Sequence, residues 1–269
     1  MAIQLAIEEK PGTRISAIPV LEDVGISSLI LGEEPELNQN MEVAARAVTN
    51  DSASTIYCAH WAGDSKPVVA ANQLAFLDDR LFGRLGLRIA ERSYPELGHE
   101  AAWRRVDEYL TLLKRLWSNS KPIDHEGEFY SIQRGFVENK GPQGALLPIR
   151  MSGLTGTAIQ VCARHATTFD LAYASPTESG ATIQKLREAA SRFGRTRAIN
   201  FAIRIPADEI EGKLDIEAAL HHYADVGVSE FIFDTSTLSS FGKLLRNNRD
   251  EAPNRLVYAR FGRSLRQAN

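Results

Sequence analysis

The chain has little cysteine, with only two residues of this type among 269. Cys58 and Cys162 both stand among apolar residues, which indicates reduced core side chains of a cytoplasmic protein rather than a disulfide. No apolar run reaches about 18 residues, so no segment is expected to span a membrane. The N-terminus lacks a basic stretch followed by an apolar run, which is the pattern of a secretory leader.

Several motifs of common functional classes are missing as well. The net charge of -3 gives no basic excess, so a nucleic-acid partner is not expected. No Gly-x-Gly-x-x-Gly follows the first predicted strand, which argues against an open dinucleotide-binding sheet. The six histidines show no metal-ligand spacing, and His221 and His222 are adjacent and point apart on a helix, so no metal site is expected.

Strand and helix patterns alternate along the whole sequence. Short apolar runs predict strands at 3–8, 28–31, 55–59, 84–90, 148–151, 170–174, 199–205 and 230–233. Helical periodicity predicts helices at 15–24, 41–48, 67–81, 106–117, 157–165, 182–193 and 216–225, with terminal helical stretches at 241–245 and 256–265.

Eight strand–helix units are enough to close a parallel barrel. The sequence therefore predicts an α/β fold, a single (β/α)8 TIM-type barrel over residues 1–269, with an excursion near 120–147. An open doubly wound sheet has the same alternation and is the alternative. No linker separates a second domain.

In such a barrel, function lies in the loops that follow the strands. The segment 152–156 is the most suggestive loop, because it has two glycines and two hydroxyl side chains ahead of a predicted helix. Free backbone N–H groups at a helix start bind anions, and glycine lets phosphate oxygens approach the main chain. A plain capped turn is the alternative, and the residues alone leave both open.

Two stretches resemble the bacterial luciferase-like flavin monooxygenases. The first joins the end of a helix to a strand, and its matching residues are Leu77, Asp78, Leu81, Gly83, Arg84 and Leu85. The second covers a helix and the segment after it, and its matching residues are Arg105, Glu108, Leu110, Trp117, Gly127, Phe129 and Tyr130. The resemblance in pattern covers nearly the whole chain, and the order and spacing of the motifs are typical of the family. The chain is therefore interpreted as a shortened member of this family.

The resemblance implies a cofactor-binding loop. The phosphate of FMN is expected at Ser152, Gly153, Leu154, Thr155 and Gly156. Leu154 replaces a hydroxyl residue of the family, so its contact would come from the backbone. Trp103 replaces a tyrosine near the phosphate and can donate only through its indole N–H.

The resemblance also implies two catalytic candidates. Arg204 matches a strand-end arginine of the alkanesulfonate monooxygenase branch, and it is expected to contact the substrate or the flavin peroxide. Pro206 replaces a histidine of that branch. His60 is expected in the loop after the third strand, near the flavin ring. An ion pair within the barrel is the alternative role for Arg204, and a hydrogen-bonding loop residue is the alternative for His60.

A reduced-FMN-dependent monooxygenase is the function that the resemblance implies. Such an enzyme acts with O₂ on a small organic substrate, is served by a separate flavin reductase, and is expected here as a homodimer. An F420-dependent reductase or dehydrogenase is the first alternative, because the same family hosts such enzymes. A flavin-binding barrel without turnover is the second, since Trp103, Leu154 and Pro206 depart from the family pattern.

Overall fold

Ten strands and five helices make up the part of the chain that the structure describes. This computed structural model covers residues 4–8, 26–31, 55–89, 97–195, 198–206 and 216–234. The strands are β1 (Gln4–Glu8), β2 (Ile26–Ile30), β3 (Thr55–His60), β4 (Leu85–Ile89), β5 (Ile123–Glu126), β6 (Ser131–Gly135), β7 (Ile149–Met151), β8 (Thr168–Leu171), β9 (Asn200–Arg204) and β10 (Glu230–Asp234). The helices are α1 (Pro67–Arg80), α2 (His99–Ser118), α3 (Gly156–His165), α4 (Pro176–Ser191) and α5 (Ile216–Asp225).

Eight parallel strands form a closed barrel in the order β1, β10, β9, β8, β7, β4, β3, β2. The first strand closes the ring, because β1 pairs with β10 on one side and with β2 on the other. The predicted barrel is confirmed. The helices predicted at 15–24, 41–48, 241–245 and 256–265 lie outside the described residues.

Side chains of the barrel strands alternate between two environments. The outward-facing residues, such as Ile56, Leu87 and Phe231, belong to one large apolar core shared with the helices. A separate small cluster lies in the interior of the ring, and it consists of Ile30, Tyr57, Ala202 and Ile232. Because successive side chains of a strand point to opposite faces, inward-facing and outward-facing residues alternate along these strands.

The longest described helix, α2, has 20 residues and one buried face. The predicted apolar stripe of Val106, Leu110, Leu113 and Trp117 is buried, with exposed fractions of 8% or less. None of the described helices, α2 included, has both the length and the apolar character needed to cross a membrane.

Several elements begin earlier in the chain than predicted, and β2 at Ile26 and α2 at His99 are among them. The strand expected at 170–174 is Thr168–Leu171, and the helix expected at 182–193 is Pro176–Ser191. A capping box causes the early start of α4: Ser175 Oγ accepts from the N–H of Glu178 at 3.3 Å, and Glu178 accepts from the N–H of Ser175 at 3.1 Å. Because the chain turns into this cap, the preceding strand ends early.

The excursion predicted near 120–147 is confirmed as the antiparallel hairpin of β5 and β6, followed by a short 3-10 turn at Gly144–Leu146. Glu108 of α2 holds the hairpin: its carboxylate accepts from the N–H groups of Phe129 at 2.9 Å and Tyr130 at 3.1 Å. His125 Nε2 donates to the same carboxylate at 2.8 Å. These residues of the family-like pattern therefore have a structural role.

Gly86→Ala is expected to lower the free energy of unfolding. An added Cβ would lie 2.5 Å from two ring carbons of Tyr57, which stacks beneath Arg150 and has little room to move. Overpacking of this kind costs about 1–3 kcal/mol, to be measured by urea unfolding. Gly98→Ala is the control, since nothing lies within 4 Å of its added Cβ. Equal losses in the two variants would contradict the packing argument.

Candidate cofactor and substrate site

The loop between β7 and α3 presents free backbone donors. Thr155 is the N-cap of α3, and its Oγ1 accepts from the N–H of Ala158 at 3.3 Å. The N–H groups of Gly156 and Thr157 have no acceptor within the described residues. Two unsatisfied donors at the positive end of a helix form a local environment that favours an anion.

Position 153 of this loop requires glycine. Its φ of +144° disfavours other residues, and an added Cβ would lie 2.8 Å from Ala158 Cβ and 2.9 Å from Trp103 Cζ2. Trp103 is only 3% exposed. Its ring therefore packs beneath the loop as a wall, and the expected donation by its indole N–H stays a prediction.

The structure brings the five loop residues proposed for phosphate binding to one exposed edge. Ser152, Thr155 and Gly156 are exposed, and Leu154 is exposed over 58% of its surface. An added Cβ at Gly156 would meet no atom within 4 Å, so space is open in front of the helix start. The loop thus has both the donors and the room that a phosphate group needs.

Two residues near this loop are absent from the sequence-based set. His99, the first residue of α2, places Nε2 3.1 Å from Thr155 Oγ1. Arg104, one turn further, lines a groove of about 300 Å³ together with Gly156 and Thr157. The packing of α2 against α3 creates this proximity, and no local sequence pattern marks it.

His60 ends a barrel strand on the side that packs against α2. It is the last residue of β3 rather than a loop residue, which corrects the expected location, because the pairing with β4 extends through His60 and Ile89. Its side chain is 1% exposed and its Nε2 lies 2.8 Å from the hydroxyl of Tyr109 in α2. Burial lowers the pKa of His60 to about 4, so the imidazole is neutral near pH 7.

Arg204 ends β9 on the inward side of the barrel. Its neighbours Phe201 and Ile203 belong to the outer core, whereas Ala202 belongs to the interior cluster, so the alternation assigns Arg204 to the interior face. The side chain is partly buried. His60 and Arg204 therefore lie on opposite faces of the sheet.

A charged cluster that the sequence reasoning missed crosses the barrel interior. Arg150 of β7 is completely buried and donates to Glu230, while its Nη1 lies 3.4 Å from Asp170 Oδ1. Ser28 donates to Glu230 at 2.6 Å, and the Tyr57 ring lies 4.5 Å from the guanidinium. The sequence signal that could have indicated this cluster is Arg150, a charged residue within the otherwise apolar strand Ile149–Met151.

Asp170 is the part of this cluster that opens to solvent. Its side chain is 20% exposed, against 0% for Arg150 and 3% for Glu230. Burial raises the pKa of Asp170 to about 6 although the positive charges of Arg150 and Arg88 oppose the shift, and the charge of Glu230 adds to it. The barrel thus holds a carboxyl group that exchanges its proton near neutral pH.

These features are typical of barrel enzymes that hold a phosphorylated ligand at the carboxyl ends of their strands. The sequence matches the family model described as luciferase-like monooxygenase over residues 20–262. The chain belongs to this family of oxidoreductases.

Known proteins of several activities are similar to the chain. The sulfoquinovose monooxygenase of Agrobacterium fabrum (strain C58 / ATCC 33970) is 26% identical over 191 residues, which are 69% of this chain and 46% of that protein. The chain thus spans about half the length of this relative.

Two solved structures illustrate the shared fold. The coenzyme F420-dependent tetrahydromethanopterin reductase of Methanopyrus kandleri has a TM-score of 0.68 at 15% identity, covering 87% of this chain and 94% of that one. The EDTA monooxygenase of Chelativorans sp. BNC1 has a TM-score of 0.67 at 15% identity, covering 76% and 64%. At these identities the similarity establishes the fold alone.

Asp170→Asn is expected to change how stability depends on pH. The folded-state pKa of about 6 exceeds the ordinary value of 3.8, so the native carboxyl binds its proton more tightly than the unfolded one. Its stabilising contribution is therefore present at low pH and is lost as pH rises through 6. The difference in free energy of unfolding between wild type and variant should shift by about 2 kcal/mol from pH 4.5 to 7.5.

Urea unfolding at a series of pH values measures this shift. Asp225→Asn, on the exposed surface of α5, controls for the loss of one negative charge. A difference between wild type and Asp170→Asn that stays constant across this pH range would refute the assigned proton affinity.

Proposed function

We propose that this barrel binds reduced FMN and, with O₂, oxygenates a small organic substrate. The observation that carries the proposal is the start of α3, where the N–H groups of Gly156 and Thr157 lack acceptors within the described residues and space is open around Gly156. Membership of the luciferase-like monooxygenase family supports the same activity.

The residues of the loop 152–156 fit the phosphate of a flavin nucleotide. Backbone N–H groups of Gly156 and Thr157 would hold the phosphate oxygens, and the hydroxyl of Ser152 is exposed beside them. Leu154 offers no polar group and would contact the cofactor through apolar surface. When bound, the flavin would supply the electrons that reduce O₂.

The interior face of the barrel would meet the substrate. In this proposal Arg204 contacts the substrate or the flavin, since it ends β9 on that face and keeps its charge at any working pH. Asp170 holds or releases a proton there. For His60, burial and the bond to Tyr109 favour a positioning role for α2, and the catalytic role stays an untested prediction.

An F420-dependent reductase is the second candidate. It is supported by the shared fold, because the F420-dependent reductase of Methanopyrus kandleri and an F420-dependent secondary alcohol dehydrogenase are similar to the chain with TM-scores of 0.68 and 0.66. The changes at Trp103, Leu154 and Pro206 also keep the non-catalytic flavin-binding barrel as a third candidate.

A cofactor titration separates these candidates. Binding of FMN, reduced FMN and F420 is measured by fluorescence, and O₂ consumption is then followed with a flavin reductase and sulfoquinovose as the probe substrate. Tight FMN binding with substrate-dependent O₂ uptake supports the monooxygenase. Selective F420 binding supports the reductase, and FMN binding without O₂ or F420 turnover with any candidate substrate favours the non-catalytic barrel.

We also propose that the chain is a single barrel domain and assembles as a homodimer. Limited proteolysis and sedimentation equilibrium test these two points independently of activity. Two separately stable fragments, or a monomer at micromolar concentration, would contradict them.

Gly156→Leu is expected to weaken FMN binding without loss of folding. The residue has open space before it and no positive φ, so the larger side chain fits the free protein but occupies the cradle. Loss of charged hydrogen bonds should cost about 1–3 kcal/mol of binding free energy, measured by fluorescence titration. Thr177→Leu, in the exposed first turn of α4, is the matched control. Unchanged affinity for Gly156→Leu would remove this loop from the site.

Arg204→Ala is expected to retain FMN binding and to lose turnover by about 100-fold or more, because a fixed positive charge near the reacting atoms stabilises developing negative charge. Arg204→Lys should recover part of the rate, since an ammonium cannot reproduce a two-pronged contact. Steady-state kinetics and thermal melting are measured together. Unfolding of both variants would indicate a structural ion pair, and full activity in Arg204→Ala would refute the assignment.

A further inference from the structure

Three side chains form a hydrogen-bonded chain between α2 and the end of α3, outside the barrel. Asp107 Oδ1 lies 2.7 Å from His165 Nε2, and Lys114 Nζ lies 3.4 Å from His165 Nδ1. Since the carboxylate and the lysine fix the two ring nitrogens as donor and acceptor, respectively, the imidazole is neutral and has its hydrogen on Nε2. Nδ1 is thereby free to accept a proton from the lysine.

Lys114 lies in surroundings that disfavour its charged form. Burial and the charges of Arg195 and Arg164 lower its pKa to about 8, while Asp107 opposes the shift. Both arginines are fixed in place: Arg164 donates to Asp107 Oδ2 at 2.8 Å, and Arg195 donates to two backbone carbonyls at the end of α3. The side chain of Lys114 is nevertheless partly exposed.

Helix capping explains only part of this arrangement. Lys114 Nζ does donate to the carbonyl of His165 at 3.3 Å. Arg195, however, already binds the carbonyls of Ala163 and Ala166. A lysine that only caps a helix also needs no hydrogen bond to an imidazole, and it needs no carboxylate bound to the other nitrogen of that imidazole. A nucleophile, a base and a group that orients the base are the components of an activated amine.

We propose that Lys114 is an acylation site that reacts with acyl phosphates, with His165 as the base and Asp107 as the residue that orients it. The amine nitrogen attacks the carbonyl carbon, the C–N bond forms, and the C–O bond to phosphate breaks. Inorganic phosphate leaves, and the proton lost by the amine passes to Nδ1 of His165 and then to solvent. The positive charges of Arg164 and Arg195 favour the approach of an anionic acyl donor over a neutral one.

Acetylation of the full chain by acetyl phosphate tests the proposal. Peptide mass spectrometry measures the rate at Lys114 and at the exposed Lys121 and Lys185 between pH 6.5 and 10. About half of Lys114 is an amine at pH 8, against under 1% of an ordinary lysine, so Lys114 should react about five-fold faster or more. Its rate should level off above about pH 9.

Two outcomes of this measurement overturn the proposal. One is a rate at Lys114 no greater than the rates at Lys121 and Lys185 at pH 8. The other is a rate that climbs with pH in parallel with theirs. Because the wild-type chain supplies its own reference lysines, neither outcome depends on a variant that folds poorly.

His165→Gln and Asp107→Asn test the base itself. Their rates are compared with wild type at pH 10, where the amine is deprotonated in every form, so that a changed pKa has no effect. The rate at Lys114 should fall by about five-fold or more in both variants, and the rate at Lys121 should stay unchanged. Glu128→Gln is the control, because it breaks only the ion pair of Glu128 with Arg104, and Arg104 lies on α2 like Lys114. Plateau rates equal to wild type would overturn the role of His165.

Discussion

The guanidinium of Arg150 is completely buried, and the interior of the barrel is organised around its charge. A buried ion must be balanced by partners of the protein itself, and Arg150 finds them on strands that are distant in sequence. Glu230 comes from β10, Asp170 from β8 and the ring of Tyr57 from β3. This one side chain thus connects four strands of the ring.

Small residues make that arrangement possible. Ala202 pairs in register with Asp170 on one side and with Glu230 on the other, so both carboxylates project inward past a methyl group. Gly86 leaves the space that the ring of Tyr57 occupies. Most barrels of this type fill the interior with branched apolar residues. Here part of that volume is a charged network, which keeps one carboxyl group in a low-dielectric environment near the open end and so raises its pKa.

A single amphipathic helix organises the outer layer. The buried stripe of α2 packs on the barrel, and the residues at its margins serve different neighbours. Glu108 holds the hairpin, Trp103 packs beneath the loop that contains Gly153, and Asp107 forms a hydrogen bond with His165 at the end of α3. Because positions on a helix rotate by about 100° per residue, these residues of α2 meet three different elements.

Local patterns predicted much of the fold. The periodicity over 216–225 matches α5, and the alternation over 55–59 falls one residue short of β3. The wrong boundaries of β8 and α4 come from one omission, the capping box of Ser175 and Glu178, which the sequence contains but which apolar periodicity does not reveal. The sequence predicts His60 in a loop, whereas its pairing with Ile89 of β4 makes it the last residue of β3. Such pairing depends on a partner strand, which local sequence does not specify.

The sequence by itself determined the alternation of strands and helices, the closed parallel barrel, the glycine loop ahead of α3 and membership of the family, because each of these depends on near neighbours or on a long pattern of residue types. Tertiary structure alone decided that Arg150, Asp170 and Glu230 share one interior, that His60 faces α2 rather than the barrel mouth, and that Asp107, His165 and Lys114 form one chain. These contacts join residues up to 80 positions apart. The closed ring and the packing of helices on it set their distances, and no local pattern specifies which side chains then meet.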